Sequence, residues 1–150
     1  MKIVKATNTD ALALTELTLR SKLHWGYTED QIEGWKDDLT INSDYVDNNE
    51  VYKLLVDDTL VGFYAFLPET NLKVELNFLF VAPEFIGKGL GKLLITDFIE
   101  RLKSLKYNEV TLIADPNAEV FYKSAGFKVI EKLKSSIEGR FLPVMEMRII

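Results

Sequence analysis

Three of the chain's eight glycines, Gly87, Gly89 and Gly91, lie within five positions in the segment PEFIGKGLGKLL, residues 83–94. A glycine inside a helix costs about 1 kcal/mol relative to alanine, so a turn, a close packing contact or a ligand must offset that cost. The segment leads from a predicted strand into the N-terminus of a predicted long helix, where unpaired N–H groups and the helix dipole favour an anion. The pattern predicts a phosphate cradle. The alternative is a helix start that needs glycine only for packing.

Two other phosphate-binding patterns do not match this segment. A P-loop requires GxxxxGK[ST], whereas Gly91 and Lys92 are followed by Leu93. The spacing also differs from GxGxxG, and no early βαβ unit surrounds it. The sequence therefore argues against a nucleotide bound by a P-loop or by a GxGxxG loop, and favours a different phosphate ligand.

Composition limits the classes of function. The chain has 150 residues, 47% of them hydrophobic and 27% charged, which predicts one globular domain over residues 1–150. The net charge of −5, without a basic stripe, argues against nucleic-acid binding, and no apolar run is long enough to span a bilayer. The start has no secretory-signal core, and a cytoplasmic location is expected. With no cysteine and one histidine, no metal site is expected.

The elements that position the glycines follow from hydrophobic periodicity. A strand at 2–7 precedes a helix from about Asp10, on which Leu12 and Leu19 supply the apolar face. A second helix is capped by Thr28 with Gln31 in the capping-box position. Two strands follow at 51–67, then a strand at 72–83, a long helix at 88–105 and a buried strand at 109–114. A short helix at 117–127 is closed by Gly126, and two final strands complete the chain. The order is βααβββαβαββ.

This order predicts an α+β fold. Strand 74–81, helix 88–105 and strand 109–114 form a parallel crossover, and the remaining pairs are expected to be antiparallel. The prediction is a mixed, mostly antiparallel sheet of about seven strands flanked by four helices.

At this point the motifs resemble those of a known family. The segment FVAPEFIGKGLGKLL resembles motif A of the GNAT superfamily of N-acetyltransferases, [Q/R]xxGx[G/A], with Gly89 and Gly91 on the two small positions. Ile86 stands where Gln or Arg is usual, a departure that leaves the backbone amides in place. The segment NAEVFYKSAGFKV resembles motif B, and the two motifs have the order and spacing of the family.

The resemblance implies acetyl-CoA, or another acyl-CoA, bound between two splayed parallel strands. Asn117 would hydrogen-bond the pantetheine arm, with a simple N-cap as the alternative reading. The backbone of one strand would pair with the pantetheine, and the amides of the glycine segment would hold the pyrophosphate. These strand and loop residues are Leu79, Phe80 and Val81, then Gly87, Lys88, Gly89, Leu90, Gly91 and Lys92. The two lysines add charge there or are ordinary solvated side chains.

A narrower resemblance concerns four segments: RSKLHWGY, IGKGLG, ADPNAEVFY and SSIEGRFLP. They look like one little-characterised bacterial subgroup of the superfamily, in which Ile at position 86 is usual. This likeness sharpens the expected fold and not the expected reaction.

The resemblance also indicates catalytic residues. Glu75 precedes Val81 by six positions, the offset at which histone-type members carry a glutamate base, and a partly apolar cleft would raise its pKa toward a useful value. The alternative is an exposed glutamate on a solvated strand face. Tyr122 matches the tyrosine that protonates or hydrogen-bonds the CoA sulfur, or else is a core aromatic beside Phe121.

The acceptor side is less specific. In the superfamily the segment RSKLHWGYTED lines the acceptor site, and it clusters Lys22, His24, Trp25 and Tyr27. Arg140 lies in the loop before the last strand, where it binds an anionic group of the acceptor or pairs with a nearby acid. The expected reaction is direct acetyl transfer to a primary amine of a small molecule. Acetylation of a protein or peptide and a non-catalytic CoA sensor stay open, and a homodimer is expected from the family's habit.

Overall fold

The computed structural model describes residues 1–149 and shows seven strands and five α-helices over them. The strands are β1 (Lys2–Lys5), β2 (Glu50–Val56), β3 (Thr59–Pro68), β4 (Lys73–Val81), β5 (Glu109–Ile113), β6 (Lys128–Lys134) and β7 (Phe141–Arg148). The helices are α1 (Ala11–His24), α2 (Glu29–Leu39), α3 (Ser43–Asn48), α4 (Leu90–Ser104) and α5 (Glu119–Ser124).

The strands are hydrogen-bonded in the order β1-β2-β3-β4-β5-β7-β6. β4 and β5 are parallel, whereas β1 with β2, β5 with β7 and β6 with β7 are antiparallel. This confirms the predicted α+β class and the parallel crossover through α4. The register of β4 with β5 runs from Lys73↔Glu109 to Leu76↔Leu112, while β4 itself continues to Val81.

Local sequence signals explain several element boundaries. Thr28 Oγ1 accepts the N–H of Gln31 at 3.1 Å, and Gln31 Oε1 accepts the N–H of Thr28 at 2.9 Å, so the predicted capping box at α2 is confirmed. Asp57 and Asp58 join β2 to β3 with φ of 50° and 65°, the left-handed conformation that a two-residue hairpin turn requires. Gly126 ends α5 with φ of 106°, as predicted for a residue just past a helix.

Two expectations about the helices were wrong. The sequence predicted four helices, but α3 is a fifth, capped by Asn42 Oδ1, which accepts the N–H of Tyr45 at 2.8 Å. Leu12 was expected on the apolar face of α1 and is 72% exposed. The buried face of α1 instead combines apolar and hydroxyl residues: Ala11, Leu14, Thr15, Leu17, Thr18 and Ser21. Each hydroxyl satisfies its hydrogen bond on a carbonyl, which allows burial in this face.

The chain forms two compact units. The first comprises Met1–Ala65 and Phe78–Leu94, and the second comprises Phe66–Asn77 and Ile95–Ile150. The first unit has a core of aliphatic and aromatic side chains from α1, α3 and the strands. Its fully buried members include Leu14, Val51 and Phe63. The core of the second unit includes Phe66 against Phe98, with ring centroids 5.3 Å apart, and the buried side chains of Val110, Leu112 and Met145.

Candidate active site

The glycine segment lies in the first unit, directly before α4. Gly87 and Gly89 have φ of 87° and 77°, a backbone conformation that L side chains rarely adopt. A Cβ at either position would meet no atom within 4 Å, so the space beside both backbones is open. Packing against other residues therefore does not account for these two glycines, and the packing alternative is left with Gly91 inside α4.

The first turn of α4 supplies donors next to this open space. The first bond that closes onto the helix runs from the N–H of Leu93 to the carbonyl of Gly89 at 3.1 Å. The N–H groups of Leu90, Gly91 and Lys92 precede this bond and have no acceptor within the helix. The positive end of the helix dipole lies at the same place. A glycine segment with free space followed by such donors is a suitable site for a pyrophosphate.

The side chains around this segment are mostly exposed. Lys88 and Lys92 are exposed, and Lys88 Nζ lies 5.2 Å from the centre of the Phe85 ring. Ile86 is 37% exposed, and Leu90 is buried. Both lysines can approach an anion at the helix start without losing a buried contact.

The carboxyl end of β4 is anchored to α1 inside the first unit. Ser21 Oγ, buried in α1, donates a 2.6 Å hydrogen bond to the carbonyl oxygen of Val81. Nη1 of Arg20 donates to both carboxylate oxygens of Glu84 at 3.0 Å, two residues before Ile86. Residues 79–81, expected to pair with pantetheine, are half-buried. Ser21 was not recognised from the sequence, although its spacing from Leu14 and Leu17 places it on the buried face of α1.

The segment between α1 and α2 divides its aromatic side chains into two groups. His24 and Trp25 are exposed, Trp25 to 47%, with ring centroids 5.3 Å apart. Tyr27 is half-buried and packs edge-on against Trp35 at 4.9 Å. Lys22 Nζ lies 5.7 Å from the Tyr27 ring and 5.8 Å from the Trp35 ring, a cation–π arrangement. Of the predicted acceptor-side residues, His24 and Trp25 therefore present rings to solvent.

In the second unit, Glu75 is half-buried on β4. Burial raises the pKa of its carboxyl, and the charge of Glu69 and a hydrogen bond with it raise that pKa further. Glu69 in turn lies 3.5 Å from Lys73 Nζ and accepts a 3.3 Å hydrogen bond from Thr111 Oγ1. The environment shifts Glu75 in the direction that a general base needs. No pattern in the sequence pointed to Glu69.

Tyr122 combines a buried ring with a protonated hydroxyl. Its ring packs between Phe121 and Phe127, with centroids 5.1 and 5.6 Å away, and burial alone raises the pKa of the phenol. Over residues 1–149 its hydroxyl has no hydrogen-bond partner, and no buried side-chain N or O atom there is left unsatisfied. The hydroxyl proton is therefore not committed to another group in that range and can be donated to a ligand.

The turn that begins α5 is organised by Asp115. Asp115, and not Asn117, is the N-cap of the 3-10 turn Pro116–Ala118, so the N-cap alternative for Asn117 is wrong. Asp115 Oδ1 accepts from the backbone N–H of Asn117 at 2.9 Å and from its Nδ2 at 3.0 Å. Asp115 Oδ2 also accepts a 3.1 Å hydrogen bond from Arg140 Nη2. Of the two alternatives for Arg140, the structure shows the pairing with an acid. The Asp-Pro pair at the start of this turn was the available sequence signal.

Residues 1–149 were also compared with the requirements of a metal site and of a membrane-spanning helix. Over residues 1–149 there is no group of three or more His, Asp or Glu side chains placed to hold a metal ion. No helix in that range is long and apolar enough to cross a membrane.

Comparison with known proteins decides the family. A sequence model described as "Acetyltransferase (GNAT) domain" matches residues 26–150. The chain belongs to the GNAT family of acetyltransferases. Among curated proteins, the chain is 32% identical over 89 residues to an uncharacterized N-acetyltransferase ycf52 from Gracilaria tenuistipitata var. liui, covering 59% of this chain and 49% of that protein. It is 34% identical over 68 residues to ycf52 from Pyropia yezoensis, covering 45% of this chain and 39% of that protein. The matched part thus spans half or less of these relatives.

Solved GNAT-family structures match over almost the whole chain. The PaiA N-acetyltransferase from Thermoplasma acidophilum, in complex with coenzyme A, has a TM-score of 0.78, 26% identity, and 98% coverage of both chains. The ribosomal-protein-S18-alanine N-acetyltransferase from Escherichia coli has a TM-score of 0.75 at 17% identity and supports the fold alone, with 99% of this chain and 93% of that chain covered. The GNAT-like fold predicted from the sequence is confirmed.

Proposed function

We propose that this GNAT-family chain is an acetyl-CoA-dependent N-acetyltransferase that transfers the acetyl group to a primary amine of a small molecule, directly within a ternary complex. The observation that carries the proposal is the glycine segment. Gly87 and Gly89 leave open space at the start of α4, beside amides that have no acceptor within the helix. The coenzyme-A complex of a structural relative that is 26% identical adds support for the same ligand.

When bound, acetyl-CoA supplies a thioester whose carbonyl carbon is open to attack by an amine. The amides of residues 87–92 hold the pyrophosphate, with Lys88 and Lys92 adding positive charge. The backbone of Leu79, Phe80 and Val81 pairs with the pantetheine arm in the manner of an added strand. Asn117 hydrogen-bonds the same arm. The backbone N–H near Val81 polarises the acetyl carbonyl.

Two side chains move protons in this proposal. Glu75 takes the proton from the acceptor ammonium through a water, which leaves the neutral amine that attacks the acetyl carbon. The C–S bond of the tetrahedral adduct then breaks while Tyr122 donates its proton to the departing thiolate. The extra proton on the attacking nitrogen passes through solvent to the Tyr122 phenolate, which leaves a neutral amide and restores the phenol. A raised Glu75 pKa and a protonated Tyr122 hydroxyl support these roles.

The acceptor is proposed to bind beside the exposed pair His24 and Trp25, with Tyr27 completing that segment. The net charge of −5 supports a cationic amine through long-range attraction. The remaining assignments come from the sequence: one domain over 1–150, a cytoplasmic location, a homodimer, and membership of the bacterial subgroup with HWGY and IGKGLG motifs.

Calorimetric titration with acetyl-CoA tests the coenzyme site. We expect the wild type to bind and Gly89→Asp to lose binding, because a carboxylate in the open space repels the pyrophosphate. Gly26→Asp is the matched control: Gly26 has φ of 90° and the same free space, but lies between α1 and α2. Aspartate tolerates positive φ better than most residues, so both variants should fold. Equal binding by wild type and Gly89→Asp would overturn the phosphate site.

A second assay tests catalysis itself. Release of free thiol from acetyl-CoA is measured across a panel of small amines, peptides with free N-termini and lysine peptides. Thiol release only with small amines supports the proposal, and release with peptides favours the protein-acetylation alternative. Tight binding of acetyl-CoA without release on any acceptor favours a non-catalytic CoA sensor.

A further inference from the structure

Arg140 and Asp115 form a largely buried ion pair in the second unit. Their side chains are 15% and 14% exposed, and Arg140 Nη2 lies 3.1 Å from Asp115 Oδ2. The two residues are 25 positions apart, in the loop before β7 and in the turn after β5. Two of the segments that mark the narrower sequence resemblance, SSIEGRFLP and ADPNAEVFY, therefore meet in this one contact.

The loop that carries Arg140 is itself held by hydrogen bonds. The N–H of Arg140 donates to the carbonyl of Ile137 at 3.1 Å, and its carbonyl accepts from the N–H of Ser135 at 3.0 Å. Ser135 Oγ accepts the N–H of Ile137 at 2.9 Å. The guanidinium is thus presented from a hydrogen-bonded turn.

Asp115 passes this constraint to Asn117. Its Oδ2 accepts from Arg140, while its Oδ1 accepts both the backbone N–H and the Nδ2 of Asn117 at 2.9 and 3.0 Å. The carbonyl of Asp115 accepts the N–H of Ala118 at 2.8 Å. Both oxygens of one carboxylate are used, so its position fixes the rotamer of the Asn117 amide and the start of α5.

We infer that Arg140 is a positioning residue for the coenzyme: through Asp115 it fixes the Asn117 amide that binds the pantetheine arm, rather than binding the acceptor. The inference rests on the proposed function, because it needs acetyl-CoA as the ligand of Asn117. It also reassigns Arg140 from the acceptor side to the coenzyme side. An acceptor anion would have to compete with the buried Asp115 carboxylate for the same guanidinium.

Titration of the full chain with coenzyme A tests the inference. We expect Arg140→Met to raise the dissociation constant for coenzyme A about tenfold, because the buried carboxylate of Asp115 loses the cation that holds it. Asn117→Ala should raise this dissociation constant to a similar degree. The dissociation constant of the double variant should exceed that of Asn117→Ala by no more than about twofold, because the effects of residues that act through one contact are not additive. Arg140→Lys should recover part of the affinity.

Arg101→Met is the matched control. Arg101 forms a 3.2 Å ion pair with Asp97 in the same unit, on α4, away from Asn117 in the sequence. The affinity of Arg101→Met for coenzyme A should equal that of the wild type. If Arg140→Met does not fold, Asp115→Asn replaces it, because this change removes the charge partner while keeping an oxygen that can accept from Asn117.

Several results would overturn the inference. Unchanged coenzyme A affinity in Arg140→Met, or in Asp115→Asn if that variant replaces it, is one. Additive losses in the double variant, or a normal affinity in Asn117→Ala beside a weakened Arg140→Met, would show that Arg140 does not act through Asn117. Failure of the wild type to bind coenzyme A would be a different outcome, since it removes the proposed function and the inference with it.

Discussion

The hydroxyl of Ser21 on α1 donates a 2.6 Å hydrogen bond to the carbonyl oxygen of Val81, the last residue of β4. Ser21 is only 2% exposed and Val81 is half-buried, so the bond is partly shielded from water. One helical position earlier, Arg20 is bound to Glu84 just beyond the same strand end. The end of β4 is therefore fixed by consecutive residues of α1 immediately before the glycine segment.

Ser21→Ala should lower the free energy of unfolding by about 1–3 kcal/mol, because the Val81 carbonyl loses its buried donor. Urea denaturation measures this change. Ser124→Ala is the control: Ser124 Oγ donates a bond of the same length, 2.6 Å, to the carbonyl of Phe121, but at the exposed surface. There water replaces the donor, and the loss should stay below about 0.5 kcal/mol. Equal losses in the two variants would contradict the argument.

Replacement by alanine should change the stability of the fold in opposite directions at Gly62 and Gly34. A Cβ on Gly62, in β3, would come within 3.0 Å of Leu94 Cδ1 and of the Phe80 carbonyl oxygen, so Gly62→Ala should destabilise the fold by about 1–3 kcal/mol through overpacking. A Cβ on Gly34, inside α2, would meet nothing within 4 Å, and Gly34→Ala should stabilise it by about 0.5–1 kcal/mol. Thermal unfolding of both variants gives the two signs, and a stabilised Gly62→Ala would contradict the close approach.

Tyr122→Phe should lower turnover at least about tenfold with little change in coenzyme affinity, because only the proton donor to the thiolate is lost. Steady-state kinetics and calorimetry measure the two quantities. Burial raises the pKa of Tyr122, so the phenol stays protonated and should add no alkaline limb to the pH–rate profile below its ordinary value of 10.0. Tyr107→Phe serves as the control on a half-buried tyrosine outside the proposed site. Unchanged turnover in Tyr122→Phe would end the assigned role.

Glu75 should make stability and activity depend on pH. Burial first, and then Glu69, raise the pKa of Glu75 above its ordinary value of 4.5, so the fold favours the protonated carboxyl. This contribution is complete below the unfolded-state pKa and is lost as the pH rises through the folded-state pKa. Glu75→Gln should therefore melt at a higher temperature than the wild type once the pH rises above 4.5, and the difference should vanish below that pH.

The same carboxyl should set the acid limb of the pH–rate profile. Glu69→Gln removes the neighbouring charge, lowers the pKa of Glu75, and should move that limb to lower pH. Glu75→Gln should lower activity mainly above the limb, where the wild-type carboxylate acts as the base, and should flatten the limb. An acid limb that stays in place in Glu69→Gln and in Glu75→Gln would assign it to another group.

Element boundaries could be predicted from the sequence wherever an element has its own cap or turn residues. The capping box of Thr28 and Gln31, the Asp57-Asp58 turn and the helix end at Gly126 all depend on neighbours within a few residues. The helix α3 was missed because six residues are too short to show a helical period. Leu12 was misplaced because the buried side of α1 carries hydroxyl residues that are satisfied by backbone carbonyls.

The candidate site was predictable to the extent that it is built from backbone. Glycine spacing indicated the loop before α4, because positive φ leaves a mark on the sequence. Contacts between side chains of separate segments leave no such mark. The contacts of Ser21 with Val81, Glu69 with Glu75, and Arg140 with Asp115 join residues 60, 6 and 25 positions apart, and only the structure brings them together.

The division of the chain into units has a consequence for synthesis on the ribosome. The chain passes from one unit to the other after Ala65, after Asn77 and after Leu94, and these points lie inside β3, β4 and α4. A cut in a surface loop therefore cannot release either unit as one continuous fragment. All residues of the first unit have been synthesised by Leu94, whereas the second unit holds an early segment, Phe66–Asn77, that must wait for the C-terminal strands. A nascent chain of that intermediate length exposes strand residues whose partners do not yet exist, and this is the stage at which chaperones have most to protect.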